Sequence, residues 1–152
     1  MLPSTAERVP SHTAAQVNLR IREQTIASIS RCAASGAGAI DQHLATLDRE
    51  WDIERTLEAN AAGVALLGLG LGVFVNRRLL VLPALVAGFL LQHALQGWCP
   101  PVPIFRRLGV RTANEIDAER YALKALRGDF QALETGAAAT VNPEKALAAA
   151  TR

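Results

Sequence analysis

Few residues in this chain have the type and setting for chemistry. Cys99 is the best placed of them: it follows Trp98 at the end of an uncharged apolar run and precedes Arg106 and Arg107. Cations near a thiol favour the thiolate, the form that attacks electrophiles and reacts with oxidants. Cys99 is therefore the candidate reactive thiol, and the alternative is that it packs as a small, soft side chain at a proline-rich exit. Cys32, beside Arg31 in a polar helical stretch, has weaker grounds for reactivity. Two cysteines so far apart make neither a disulfide framework nor zinc spacing, so no metal site is expected. His93, with Gln92 and Gln96, falls near the end of the same apolar run, where an unpaired polar side chain is costly. It is expected to make a hydrogen bond between helices. A haem-ligand role would need a symmetric oligomer to supply the second histidine, because His12 and His43 lie in unrelated segments. No carboxylate pair, nucleophile triad or phosphate-binding glycine loop stands out, and the glycines at 68, 70 and 72 lie inside an apolar run that cannot cradle a phosphate. The chain is expected to be no enzyme and to need no cofactor.

These residues depend on two apolar runs, 59–75 and 79–98, that meet at Asn76-Arg77-Arg78. The second run has twenty uncharged residues, enough to cross the roughly 30 Å hydrocarbon core of a bilayer as a helix. The first has seventeen, at the lower edge of the spanning range, and the short turn forces it antiparallel to the second. Both together predict a transmembrane helical hairpin. Gly68 and Gly72 have the small-xxx-small spacing that lets helices approach closely in lipid, and with His93 they are the expected helix-packing residues. Trp51 and Trp98 flank the hairpin where amphipathic rings suit the membrane surface, and Arg106 and Arg107 follow it where they would meet anionic lipid. Arg49, Arg55, Arg106, Arg107 and Arg111 flank the hairpin against Arg77 and Arg78 in its turn, which places both termini in the cytoplasm.

The remaining chain reads as helices in an all-α fold. Residues 1–12 form a flexible lead, and 13–58 a helical region with a hinge at Ser35-Gly36-Ala37-Gly38. Ile40, Leu44, Leu47 and Trp51 share one helical face, and this helix is expected to run on into the membrane. Residues 99–111 are a Pro-rich interfacial exit, with the prolines at 100, 101 and 103 holding the chain extended. The amphipathic helix of 112–135 opens at Thr112-Ala113-Asn114-Glu115 and has the stripe Ile116, Leu123, Leu126, Phe130 and Leu133, interrupted by Glu119. Residues 136–152 are an alanine-rich tail with a short helix expected after Pro143. A net charge of +2 over 152 residues and 5% aromatics, with no interleaved basic groove, exclude nucleic acid as a partner.

Residues 52–110 resemble the YgaP-like transmembrane domain, a small two-helix inner-membrane domain found with rhodanese sulfurtransferases. The matching features are Asp52-Ile53-Glu54-Arg55 at the entry, a glycine-rich first run, Gln96-Gly97-Trp98-Cys99-Pro100 at the exit, and then Phe105-Arg106-Arg107-Leu108-Gly109-Val110. The resemblance implies a bacterial inner-membrane protein, homo-oligomeric through the hairpin, with a sulfurtransferase or another membrane protein as partner. No rhodanese domain is present, since the N-terminal region lacks alternating strands and helices. The expected function is a non-enzymatic scaffold or anchor in sulfur or redox metabolism. One alternative is a persulfide relay or small-anion conduit using Cys99; another is a soluble oligomeric bundle that buries the apolar runs.

Overall fold

The computed structural model describes residue 4 and residues 6–131 and 143–151. No strand occurs among the described residues, and the protein is all-helical. A 3-10 turn at Pro10–His12 precedes α1 (Ala15–Ser35), α2 (Ala37–Leu47) and α3 (Ile53–Phe74). A second 3-10 turn, Arg77–Leu80, leads into α4 (Val81–Gln96), followed by α5 (Val102–Arg107), α6 (Ala113–Arg127) and α7 (Pro143–Thr151). The chain divides into two compact units, Met1–Arg22 with Trp51–Asn114 and Glu23–Glu50 with Glu115–Arg152.

The first unit is built around α3 and α4, which pack against each other. Asp52 caps α3 by accepting the Arg55 amide at 2.7 Å, and Glu54 in the first turn complements the helix dipole. The helix therefore starts six residues before the apolar run, at Ile53, and Ile53 and Leu57 are buried. Asn76 accepts the Arg78 amide at 2.9 Å to form the turn, and α4 ends where Gly97 takes the left-handed conformation at φ 75° and donates to His93 O. A methyl on Gly68 would lie 2.9 Å from Pro83 Cδ, and one on Gly72 2.5 Å from Leu80 Cδ2. These two glycines thus form a close seam, Gly68 against Pro83 of α4 and Gly72 against Leu80 of the turn before it. Val9, Ile53, Leu57, Cys99 and Val102 form the core below the seam, with Phe105 and Val110 against it. The prolines do not keep the exit extended. Pro101 caps α5 and Pro103 lies in its first turn, where a missing N–H costs no helical bond, so the chain turns and becomes helical at once.

In the second unit Ile40, Leu44 and Leu47 of α2 pack with Ile116 and Leu123 of α6, flanked by Ile29 and Cys32. Gly36, at φ 87°, makes the expected break between α1 and α2. The helix of Ile40 stops at Leu47 and does not continue to Trp51, because the Arg49 and Glu50 amides turn back to Thr46 O and Leu47 O. α6 likewise ends at Arg127, short of the predicted limit. Gly128 has φ 90°, and the Gly128 and Asp129 amides close onto Ala125 O and Lys124 O as a Schellman cap. Its buried face is Ile116, Glu119 and Leu123, while Leu126 is exposed; Leu133 lies outside the described residues.

Candidate functional site

The polar side chains of the first unit converge at the end of the helix pair away from the Asn76 turn. Glu54 stands one residue into α3 and His93 one turn before the end of α4. Glu54 Oε2 lies 2.8 Å from His93 Nε2, and Arg8 Nη2 donates to Glu54 Oε1 at 2.8 Å. Arg8 Nη1 also donates to Ala94 O at 2.8 Å, in the last turn of α4. The N-terminal segment is thereby fixed to both helices, with Val9 in the core beside it. Gly97 makes this approach possible: a Cβ there would fall 2.5 Å from the Arg8 carbonyl. Arg8 Nε and His93 Nδ1 are buried without a hydrogen-bond partner.

Cys99 is buried in the same core. Burial pushes its thiol above the ordinary value and the Glu54 charge adds to this, while a backbone hydrogen bond at Val102 acts the other way. That direction is opposite to the arginine-activated thiolate suggested by the sequence, and its main cause is the burial of Cys99 itself. Arg106, expected at a membrane surface, is fully buried. Its guanidinium donates to Asn18 Oδ1 at 2.9 Å, Val110 O at 3.0 Å and Thr13 Oγ1 at 3.3 Å, pinning the start of α1 to α5. Thr13, whose own hydroxyl donates to Val9 O, is thus used in tertiary bonding. Arg107 is exposed, and its carbonyl accepts from Arg20 Nη2 at 2.7 Å. Trp98 is half-buried, and exposed Trp51 carries the Arg55 guanidinium 4.3 Å above its ring.

A second cluster joins α1, α2 and α6 in the other unit. His43 Nε2 lies 2.8 Å from Glu119 Oε1 and 3.0 Å from Ser28 Oγ. Hydroxyl and carboxylate share one ring nitrogen, whereas a nucleophile relay needs the base to use one nitrogen for each. The cluster is a structural tie. Glu119, the residue that interrupts the α6 stripe, is the legible half of this pair; His43 carries no sequence signal beyond lying one turn from Leu47 and beside Leu44 on α2. Arg8 and Glu54 were missed as functional partners because they are 46 positions apart and neither belongs to a periodic pattern.

No cluster of three or more histidine, cysteine, aspartate or glutamate side chains suited to a metal occurs among the described residues. The arrangement holds helices together at their polar ends and leaves the shafts of α3 and α4 apolar. Comparison with protein-family models, curated proteins and solved structures finds no match for this chain.

Proposed function

We propose that this protein is a non-enzymatic scaffold of the bacterial inner membrane, inserted by α3 and α4 as a transmembrane hairpin. One observation carries the reading. Of the most apolar stretch of α3 only 17% is buried, and of the corresponding stretch in Arg77–Gln96 only 6%. A helix of this composition in the core of a soluble protein is mostly covered; here Leu66, Leu67, Val73, Phe74, Leu85 and Leu91 are all exposed. Apolar area on that scale calls for hydrocarbon or further protein around it. The polar ties at Arg8, Glu54, His93 and Arg106 lie at the end where both flanking chains leave the pair, so the buried charges need not enter the hydrocarbon.

In this reading both termini are cytoplasmic, supported by the flanking arginines, and copies of the chain associate through the lipid-facing helices. The link to sulfur metabolism, with a sulfurtransferase or another membrane protein as partner, rests on the resemblance of residues 52–110 to the YgaP-like domain. Cys99 then serves as packing at the hairpin mouth. Alkaline carbonate extraction tests the membrane assignment: the protein is expected in the membrane pellet, released only by detergent. Recovery in the supernatant as a discrete oligomer overturns it in favour of a soluble bundle.

A further inference from the structure

We propose that the cavity beside Cys99 holds one acyl chain of a bilayer phospholipid. This deepens the membrane reading and rests on it. The cavity has a volume of about 410 Å³, within the range of small-molecule sites of roughly 300–1,000 Å³. Leu57, Ala61 and Val64 of α3 form one wall, Val86 and Phe89 of α4 the second, and Cys99 with the following prolines the end.

Three features select hydrocarbon as the occupant. None of the lining side chains is charged, and the amide of the single carboxamide there, Asn60, already donates to Thr56 O at 2.8 Å. A charged or strongly polar ligand would lose its hydration with nothing to replace it. Cys99 contributes a buried, neutral thiol, which behaves toward a ligand as a small apolar surface. The cavity is also open sideways: Val64 and Phe89 line it yet remain 42% and 41% exposed. Leu67 and Leu85, one helical turn from Val64 and Phe89 respectively, are exposed as well, so in a bilayer the mouth faces lipid chains and not water. An unfilled apolar space forfeits dispersion contacts on every wall, and a neighbouring chain recovers them without desolvating a polar group.

The test is photo-crosslinking of the full chain in phosphatidylcholine vesicles. The probe is a phospholipid bearing a diazirine in one acyl chain at the depth of the cavity; palmitic acid bearing the same group is run separately. The expected result is phospholipid label on residues 99–105 as well as on the outer faces of α3 and α4. Ala61→Trp, filling the cavity from α3, is expected to remove the label from 99–105 and leave that on the outer faces. Val86→Trp fills it from α4, so a folding defect in one variant, read by helical circular dichroism, does not decide the outcome. Leu91→Trp, on the outer surface and away from the cavity, is expected to change neither. Label confined to the outer faces, label on 99–105 that survives both filling variants, or label from palmitic acid alone overturns the proposal. Carbonate extraction of the same vesicles reads the membrane assignment separately. Integration without label at 99–105 removes the cavity proposal only, and extraction into the supernatant removes both.

Discussion

Each unit of this protein is tied by one histidine and one glutamate from different helices, and the two pairs are mirror images in burial. In the first, His93 is 5% exposed and Glu54 33%; in the second, Glu119 is 1% exposed and His43 27%. The distances are the same, 2.8 Å. What differs is which group is trapped if its partner disappears. A buried polar group left unpaired costs its full desolvation, whereas a half-exposed one turns to water. The comparison therefore teaches that equal geometry does not mean equal roles: in the first unit a half-exposed carboxylate holds a buried imidazole, and in the second a half-exposed imidazole is one of several groups that meet a buried carboxylate.

The largest expected effect is that of Glu54→Leu. It strands His93 and removes the anion bound by Arg8, which itself is mostly buried, and a loss of about 3 kcal/mol follows from breaking such a pair at one side. His93→Leu should cost far less, since Glu54 keeps Arg8 and reaches water. Thermal unfolding of the detergent-solubilised protein, followed by helical circular dichroism, measures both. Equal losses would refute the asymmetry.

In the second unit Glu119 is the buried member, and it interacts with more than His43. His43→Leu withdraws one of its hydrogen bonds, at a cost of about 1 kcal/mol. Glu119→Leu takes the carboxylate from all its partners at once and should cost more, about 3 kcal/mol. Amide hydrogen exchange of α2 and α6 separates this from any change in α3 and α4. A loss for His43→Leu as large as that for Glu119→Leu would sink this order.

How much of this was legible in the sequence depends on the range of the physics involved. The helical character and the break at Gly36 were, because apolar spacing and a glycine turn are local. The cap at Asp52 and the end at Gly97 were not, since the apolar face of α2 reads on to Trp51 and the second uncharged run on to Trp98. The close spacing of Gly68 and Gly72 was also visible, although only the packed helices give them Pro83 and Leu80 as neighbours. The ends of α2 and α6 were not, since Asp48 and Gly128 close the helices by backbone bonds that compete with an apolar stripe running further. The site was mostly illegible. Arg106 looked like a surface cation because it stands beside Arg107, yet the fold gives it Asn18 from 88 positions away. Glu54 read as one charge among many near the helix entry, and only the return of α4 brings His93 to it.

The smallest effect sharpens the comparison through the two free thiols, one in each unit. Cys99 is buried and Cys32 half-buried. Burial holds the Cys99 thiol above its ordinary value of 9.0, with Glu54 contributing in the same direction. Because the folded value is raised, the neutral thiol contributes stability that is fully present below pH 9.0 and is lost as pH rises through the folded value. Alkylation by N-ethylmaleimide, followed by intact mass, is expected to modify Cys32 first at neutral pH. Cys99 should follow only at pH above 9.0, or once the chain is unfolded. Glu54→Leu removes the smaller of the two upward influences, so it should shift the onset of Cys99 alkylation slightly toward neutral pH even after correction for unfolding. A Cys99 that reacts as fast as Cys32 in the folded protein at neutral pH would mean that the thiol is reached and ionised there, and would restore it as a reactive group at the mouth of the helix pair.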